Sequence, residues 1–151
     1  MPALTNREVV EQFARAMNAG DLDRAEQLLA EDVVEDYPQS GERIRGRANR
    51  RAVVENYPGR AEAKIVPGKI GAIVGEDPWV MTPTMSLVRL NGSGEHFTAT
   101  GQINYPNGDV WHIVQLIELR DGKIAKIVTY FAEPFPPAEY RAKFVERTPP
   151  D

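Results

Sequence analysis

An α+β domain, helices first and an antiparallel meander after them, is the fold that the sequence predicts. Three observations predict it. Apolar residues recur at helical spacing in the first third of the chain, the period changes to alternation from about Lys69, and tight-turn dipeptides separate the alternating segments. With 151 residues, 42% of them hydrophobic and 26% charged, the chain is long enough to bury one core. One domain is expected over residues 1–136, with 137–151 as an extension holding a short helix and a frayed, proline-rich tail.

Thr5-Asn6-Arg7-Glu8 reads as a capping box, in which the Thr hydroxyl and the Glu carboxylate satisfy each other's backbone N–H. Val9, Val10, Phe13, Ala14 and Met17 then mark a helix that Asn18-Ala19-Gly20 ends. Asp21 caps a second, shorter helix carrying Leu22, Ala25, Leu28 and Leu29. Val33 and Val34 begin an extended segment through Asp36, Tyr37 and Pro38. A polar turn leads to a third helix from about Arg47, bearing Val53, Val54 and Tyr57 before Pro58-Gly59. Strands are expected near 69–75, 79–90, 95–105, 110–119 and 123–133, joined in part by Asn91-Gly92-Ser93-Gly94, Asn107-Gly108 and Asp121-Gly122.

Function must come from oxygen and imidazole groups, because the chain has no cysteine. A formal charge of −4 without a basic stripe gives no reason to hold a nucleic-acid backbone. No apolar run approaches a membrane span, and no apolar leader opens the chain, so a cytoplasmic protein is expected. Two well-separated histidines without closely spaced carboxylates make a poor metal site, and neither metal nor cofactor is expected.

If Asn107-Gly108 and Asp121-Gly122 are both two-residue turns, pairing by alternation collects Phe97, Ala99, Ile103, Tyr105, Val110, His112, Val114, Leu116, Ile127 and Phe131 on one face. Trp111, Ile113, Gln115, Ile117, Val128 and Tyr130 then fall on the other. That second face is too apolar for water, and three helices cover only one face. A homodimer through the second face is therefore expected.

Three helices and this meander, with Asn18-Ala19-Gly20-Asp21, Glu35-Asp36-Tyr37-Pro38, Val110-Trp111-His112-Ile113-Val114-Gln115-Leu116, Arg120-Asp121-Gly122-Lys123-Ile124 and Tyr130-Phe131, resemble the nuclear transport factor 2-like superfamily. The nearest branch resembles the SnoaL-like polyketide cyclases and ketosteroid isomerases, over nearly the whole chain to about Pro136. The resemblance implies a cone, with helices packed on a strongly curved antiparallel sheet (a cystatin-like α+β barrel) around an apolar pocket. It also implies Asp36 at the position of a general base, His112 where those isomerases hold a protonated acid, and Phe13 in place of an oxyanion tyrosine. The Arg and Asp two residues apart on a strand, expected of epoxide hydrolases of this fold, are absent from the expected strands.

His112, mid-strand among apolar residues, would stay neutral and could shuttle a proton, or else be a structural histidine. Partial burial would make Asp36 a useful base; the alternative is a turn aspartate bonding nearby amides. Phe13, Met17, Tyr37, Tyr57, Ile103, Tyr105, Val114 and Phe131 would line the pocket, although Phe13, Met17 and Tyr57 also suit a plain core and Tyr105 a wet hairpin tip. Arg43, Arg45, Arg47, Arg50 and Arg51 would attract a carboxylate to the pocket entrance or form a solvated helix start. The function expected is cofactor-free acid/base chemistry on a small apolar or aromatic carbonyl or hydroxyl compound: isomerisation, cyclisation or dehydration. The alternative is a dimeric domain that only binds such a compound.

Overall fold

The computed structural model describes residues 2–56, 85–104 and 110–149. Three helices, α1 (Asn6–Ala19), α2 (Leu22–Gln27) and α3 (Arg47–Glu55), accompany six strands: β1 (Leu29–Tyr37), β2 (Glu42–Arg45), β3 (Met85–Ser93), β4 (His96–Asn104), β5 (Val110–Arg120) and β6 (Lys123–Ala132). The expected α+β class stands, with two refinements. The sheet runs β2-β1-β6-β5-β4-β3 and is curved without closing into a barrel. It is also mixed, because β1 lies parallel to β6 and the other pairs are antiparallel. The expected strand near 69–75, together with Tyr57 and Tyr105, lies outside the described residues.

Local chemistry sets the helix ends. Glu8 Oε2 accepts from the Thr5 N–H at 2.7 Å, and the Glu8 N–H donates to Thr5 Oγ1 at 3.2 Å, completing the capping box. Gly20 closes α1 at φ 72°, a conformation that costs glycine nothing. Asp21 caps α2 by accepting from the Arg24 N–H at 3.0 Å. Val9, Val10 and Phe13 of α1, with Ala25 and Leu28, pack on Phe97, Ala99, Ile117, Leu119, Ile124 and Ile127 to form the main core.

The sheet corrects the expected assignment of faces, and the error sits on β5 alone. Asn104 pairs with Val110 and Ile103 with Trp111, one residue off the register that a two-residue turn at Asn107-Gly108 imposes. The other turn is as expected: Asp121 and Gly122 both have positive φ, and Arg120 pairs with Lys123 and Leu119 with Ile124. The register then shifts, so that Glu118 pairs with Lys126 and Ile113 with Phe131. Ala125 is thus the extra residue of a β-bulge. Each one-residue slip exchanges faces. Together they turn β5 over between two strands whose faces were expected correctly. Trp111, Ile113, Gln115 and Ile117 are buried on the inner face, while His112, Val114 and Leu116 lie outside with Val128 and Tyr130.

Candidate active site on the concave face

One polar row crosses the inner face of the sheet. Glu35 of β1, Thr129 of β6 and Gln115 of β5 are all buried, and β5 and β6 pair Gln115 directly with Thr129. On each strand this residue separates two kinds of apolar surface. Towards the helices lie Val33, Ile127, Ile117 and Ala99 of the main core. On the other side lie Tyr37, Phe131, Ile113, Trp111 and Ile103, the last four forming a second apolar cluster. The Tyr37 and Phe131 rings meet at 5.8 Å between centroids, tilted by 45°. Gln39 fastens this end of β6: its Nε2 donates to the Phe131 carbonyl and its Oε1 accepts from the Phe131 N–H, both at 2.6 Å.

The row is hydrogen-bonded end to end. Gln115 Nε2 donates to Thr129 Oγ1 at 3.4 Å, and Thr129 Oγ1 donates to Glu35 Oε1 at 3.1 Å. The other carboxylate oxygen, Oε2, accepts from Arg50 Nε at 2.8 Å. This pair is buried, with side-chain exposures of 4% for Glu35 and 10% for Arg50. The guanidinium of Arg50 also lies over the Phe13 ring, 5.0 Å from its centroid, and directs Nη1 at Met17 Sδ at 3.7 Å. Burial, followed by the nearby Glu35 charge, pushes the Tyr37 hydroxyl well above the usual tyrosine range, with Arg50 opposing; the phenol therefore stays protonated as a donor.

The sequence-predicted residues fall into three groups. Phe13, Met17, Tyr37, Ile103 and Phe131 face inward, around or beside the polar row. Asp36 does not join them. On β1, Val33 and Glu35 take the inner face, so Asp36 lies on the outer side, where Arg43 of β2 grips it with Nε to Oδ1 at 2.6 Å and Nη2 to Oδ2 at 2.8 Å. That bonded guanidinium holds the Asp36 carboxyl below the usual range against partial desolvation. His112 and Val114 are on the outer face for the register reason given above, and His112 is exposed. The fold therefore does not bring Asp36 and His112 together across a cavity.

The sequence reading gives no site role to Glu35, one position before Asp36, nor to Thr129 or Gln115, and it leaves Arg50 among five arginines that would either attract a carboxylate or form a solvated helix start. Helical spacing carried the missing signal, since Arg47, Arg50, Arg51 and Val54 at i, i+3, i+4 and i+7 are the less exposed stripe of α3. Arg51 serves a different purpose, joining α3 to α2 through Asp23 at 2.6 Å and Glu26 at 2.7 Å, besides Glu55 on its own helix at 2.7 Å. Among the described residues no cluster of three or more histidine or carboxylate side chains converges as metal ligands.

The model of the SnoaL-like domain matches residues 10–127. The chain belongs to the SnoaL-like family. Among solved structures, this SnoaL-like chain is similar to an NTF-2 like protein of unknown function from Burkholderia xenovorans LB400, at 28% identity and a TM-score of 0.70 with 95% of each chain covered. It shares its fold with a proposed ketosteroid isomerase from Kribbella flavida DSM 17836, at 23% identity and a TM-score of 0.76 over 97% of this chain and 91% of that one. A proposed polyketide cyclase from Pseudomonas putida KT2440 has the same fold at 23% identity and a TM-score of 0.58, over 85% and 92% of the two chains. Against functionally curated proteins the sequence finds no match. No described helix is long and apolar enough to cross a membrane.

Proposed function

We propose that this SnoaL-like domain binds a small, mostly apolar or aromatic carbonyl or hydroxyl compound on its concave face and performs cofactor-independent acid/base chemistry there, isomerisation, cyclisation or dehydration, with Glu35 as the proton acceptor. The observation that carries this reading is the burial of the Glu35–Arg50 pair at the border of the apolar surface formed by Tyr37, Phe131, Ile113 and Ile103. A carboxylate has about four acceptor positions. Thr129 and Arg50 occupy one on each oxygen of Glu35, which leaves room for a substrate proton while both bonds fix the plane of the group. Arg50 commits only Nε to a carboxylate, and its Nη groups have no oxygen acceptor among the described residues. They supply donors for an oxygen on which negative charge develops. The Tyr37 hydroxyl, kept protonated by its surroundings, is a second donor.

The rival is a domain that binds and does not catalyse. It is favoured by the same ion pair, because a carboxylate compensated by a guanidinium is a weaker base, and by Phe13, which brings no hydroxyl to α1. Native mass spectrometry of the purified protein, followed by deuterium exchange into the retained compound or its cyclic-ketone analogues, separates the two. Catalysis predicts that Glu35→Gln still retains the compound while exchange slows by ~10²-fold or more. If the parent protein retains a compound and neither exchanges nor converts it, binding alone is the function.

A further inference from the structure

The hydrogen-bonded row on the concave face has a direction, and that direction fixes what its far end offers a ligand. As a carboxylate Glu35 only accepts, taking one bond from Arg50 Nε at 2.8 Å and one from Thr129 Oγ1 at 3.1 Å. A hydroxyl has a single proton to give. Thr129 spends it on Glu35, so towards its other neighbour, Gln115, Thr129 Oγ1 can only accept. The carboxamide of Gln115 is thereby held with Nε2 towards Thr129, at 3.4 Å, and with Oε1 at the far end of the row. The oxygen and nitrogen of an amide are nearly interchangeable in shape. Here the Glu35–Arg50 ion pair, two strands away, decides between them.

No described donor meets that oxygen. Gln115 is 8% exposed, and its Oε1 accepts from none of the described residues. Its direct partner on the next strand, β4, is Ala99, followed on the same face by Gly101, and neither carries a side-chain donor. A buried carbonyl oxygen without a donor is costly, and native proteins rarely leave one so. Gln115 also borders the second apolar cluster, of Ile103, Trp111 and Ile113, on which the proposed substrate rests. The row sets a length as well. Two hydrogen bonds and the width of one amide separate Glu35 Oε1 from Gln115 Oε1, a gap of no more than roughly 9 Å. A compound that brings an acidic C–H to Glu35 and a polar group to Gln115 therefore has one ring between them.

We infer that Gln115 is a specificity-determining residue whose Oε1 accepts from a hydroxyl of the ligand, and that the ligand class is a ring with a hydroxyl at one end and an enolisable carbonyl at the other. A hydroxyl suits the whole amide, donating to Oε1 and accepting from the second Nε2 proton, whereas an ether oxygen satisfies the nitrogen alone. The carbonyl end rests on the function proposed above, in which Arg50 and Tyr37 supply its donors. The hydroxyl end does not depend on catalysis.

Three ketones of similar shape test this: para-hydroxyacetophenone, para-methoxyacetophenone and acetophenone. Titration calorimetry of the parent protein should show the hydroxy ketone binding at least ~10-fold more tightly than either of the others. Gln115→Met keeps the length of the side chain and removes both polar atoms, so the ratio should fall below ~3-fold, with thermal melting confirming a folded protein. A purely structural Gln115 would instead weaken all three ketones together and leave the ratio unchanged, which overturns the inference. Thr129→Val probes the alignment: this nearly isosteric change frees the amide to turn, and the hydroxy-over-methoxy ratio should drop again. An unaltered ratio there refutes the claim that the row orients Gln115. Equal affinities in the parent, or no binding of para-hydroxyacetophenone at millimolar concentration, also overturn the inference. Deuterium exchange at the ketone methyl group separates it from the reading of Glu35. Exchange that needs Glu35 but shows no Gln115-dependent preference for the hydroxyl refutes the ligand class alone; a hydroxyl preference without exchange supports the ligand class and refutes catalysis alone.

Discussion

Replacing Arg50 with Met tests the polar row most directly. Met keeps most of the volume of the aliphatic stem and its packing beside Phe13, while removing the charge, and Glu35 is then left 4% exposed without its compensating cation. Breaking a buried, hydrogen-bonded ion pair by removing one partner costs about 3–5 kcal/mol, far more than the ~0–1 kcal/mol of an exposed pair. For a domain of about this size each kcal/mol moves the melting temperature by roughly 2–4 °C, so a loss of ~4 kcal/mol corresponds to roughly 8–16 °C. The assay is urea and thermal unfolding, followed by circular dichroism, of the parent, Arg50→Met, Glu35→Gln and the double variant. Each single change strands a buried partner, so the double variant should cost less than the sum of the singles by at least ~1.5 kcal/mol. Additive costs, or a single Arg50→Met loss below ~1 kcal/mol, would refute the claim that this pair is desolvated and coupled. Reversing Arg45, which is exposed, should stay within ~1 kcal/mol in the same assay.

Other outcomes follow from the same geometry. Deleting Ala125 removes the extra residue of the bulge and leaves Glu118 paired with Lys126 and Ile117 with Ile127, so Ile127 and Thr129 stay on the inner face; a cooperative, native-like melt is expected, and loss of cooperative unfolding would contradict the bulge assignment. His112→Ala should change stability by no more than ~0.5 kcal/mol and leave conversion of a retained compound unaltered, because the side chain is exposed on the outer face. Asp36 has a lowered folded-state pKa, so its contribution to stability is present above the unfolded carboxyl pKa and fades as pH falls through the lower folded value; carbon-detected NMR titration should show Arg43→Ala returning Asp36 towards an ordinary carboxylate. Tyr37 is raised, so its contribution is present below the unfolded phenol pKa and lost as pH rises beyond it. Ultraviolet titration should show a late-ionising tyrosine that is lost in Tyr37→Phe, and the same profile in both proteins would count against burial of Tyr37.

How far the sequence could be read depended on whether the determinant was local. The capping box at Thr5–Glu8, the left-handed Gly20 and the Asp121-Gly122 turn are written in a few adjacent residues, and each forms as expected. The face of β5 was not local. Alternation fits Trp111-Ile113-Gln115-Ile117 and His112-Val114-Leu116 almost equally well, so the choice rested on counting from two turns, and an extra residue at Ala125 has no signature in its own side chain. The same ambiguity separates Glu35 from Asp36. Val33 and Val34 are both apolar, so either phase could have faced the core; the deciding fact is that Arg50, fifteen residues later, approaches Glu35 from α3. A carboxylate's partner across the fold is invisible to any local pattern.

The polar row also divides the labour of the inner face. On the helix side of Glu35, Thr129 and Gln115, the side chains of Val33, Ile117 and Ile127 hold the domain together; on the far side, Ile103, Trp111, Ile113 and Phe131 form a cluster of their own. Substitutions that enlarge, shrink or reshape the second cluster therefore meet a hydrogen-bonded partition before they reach the structural core. On the function proposed above, a change of ligand shape at Ile103 or Ile113 would be absorbed on one side of the partition, at the stability cost of altering an almost fully buried side chain, which gives a physical route by which one scaffold can come to host different small molecules.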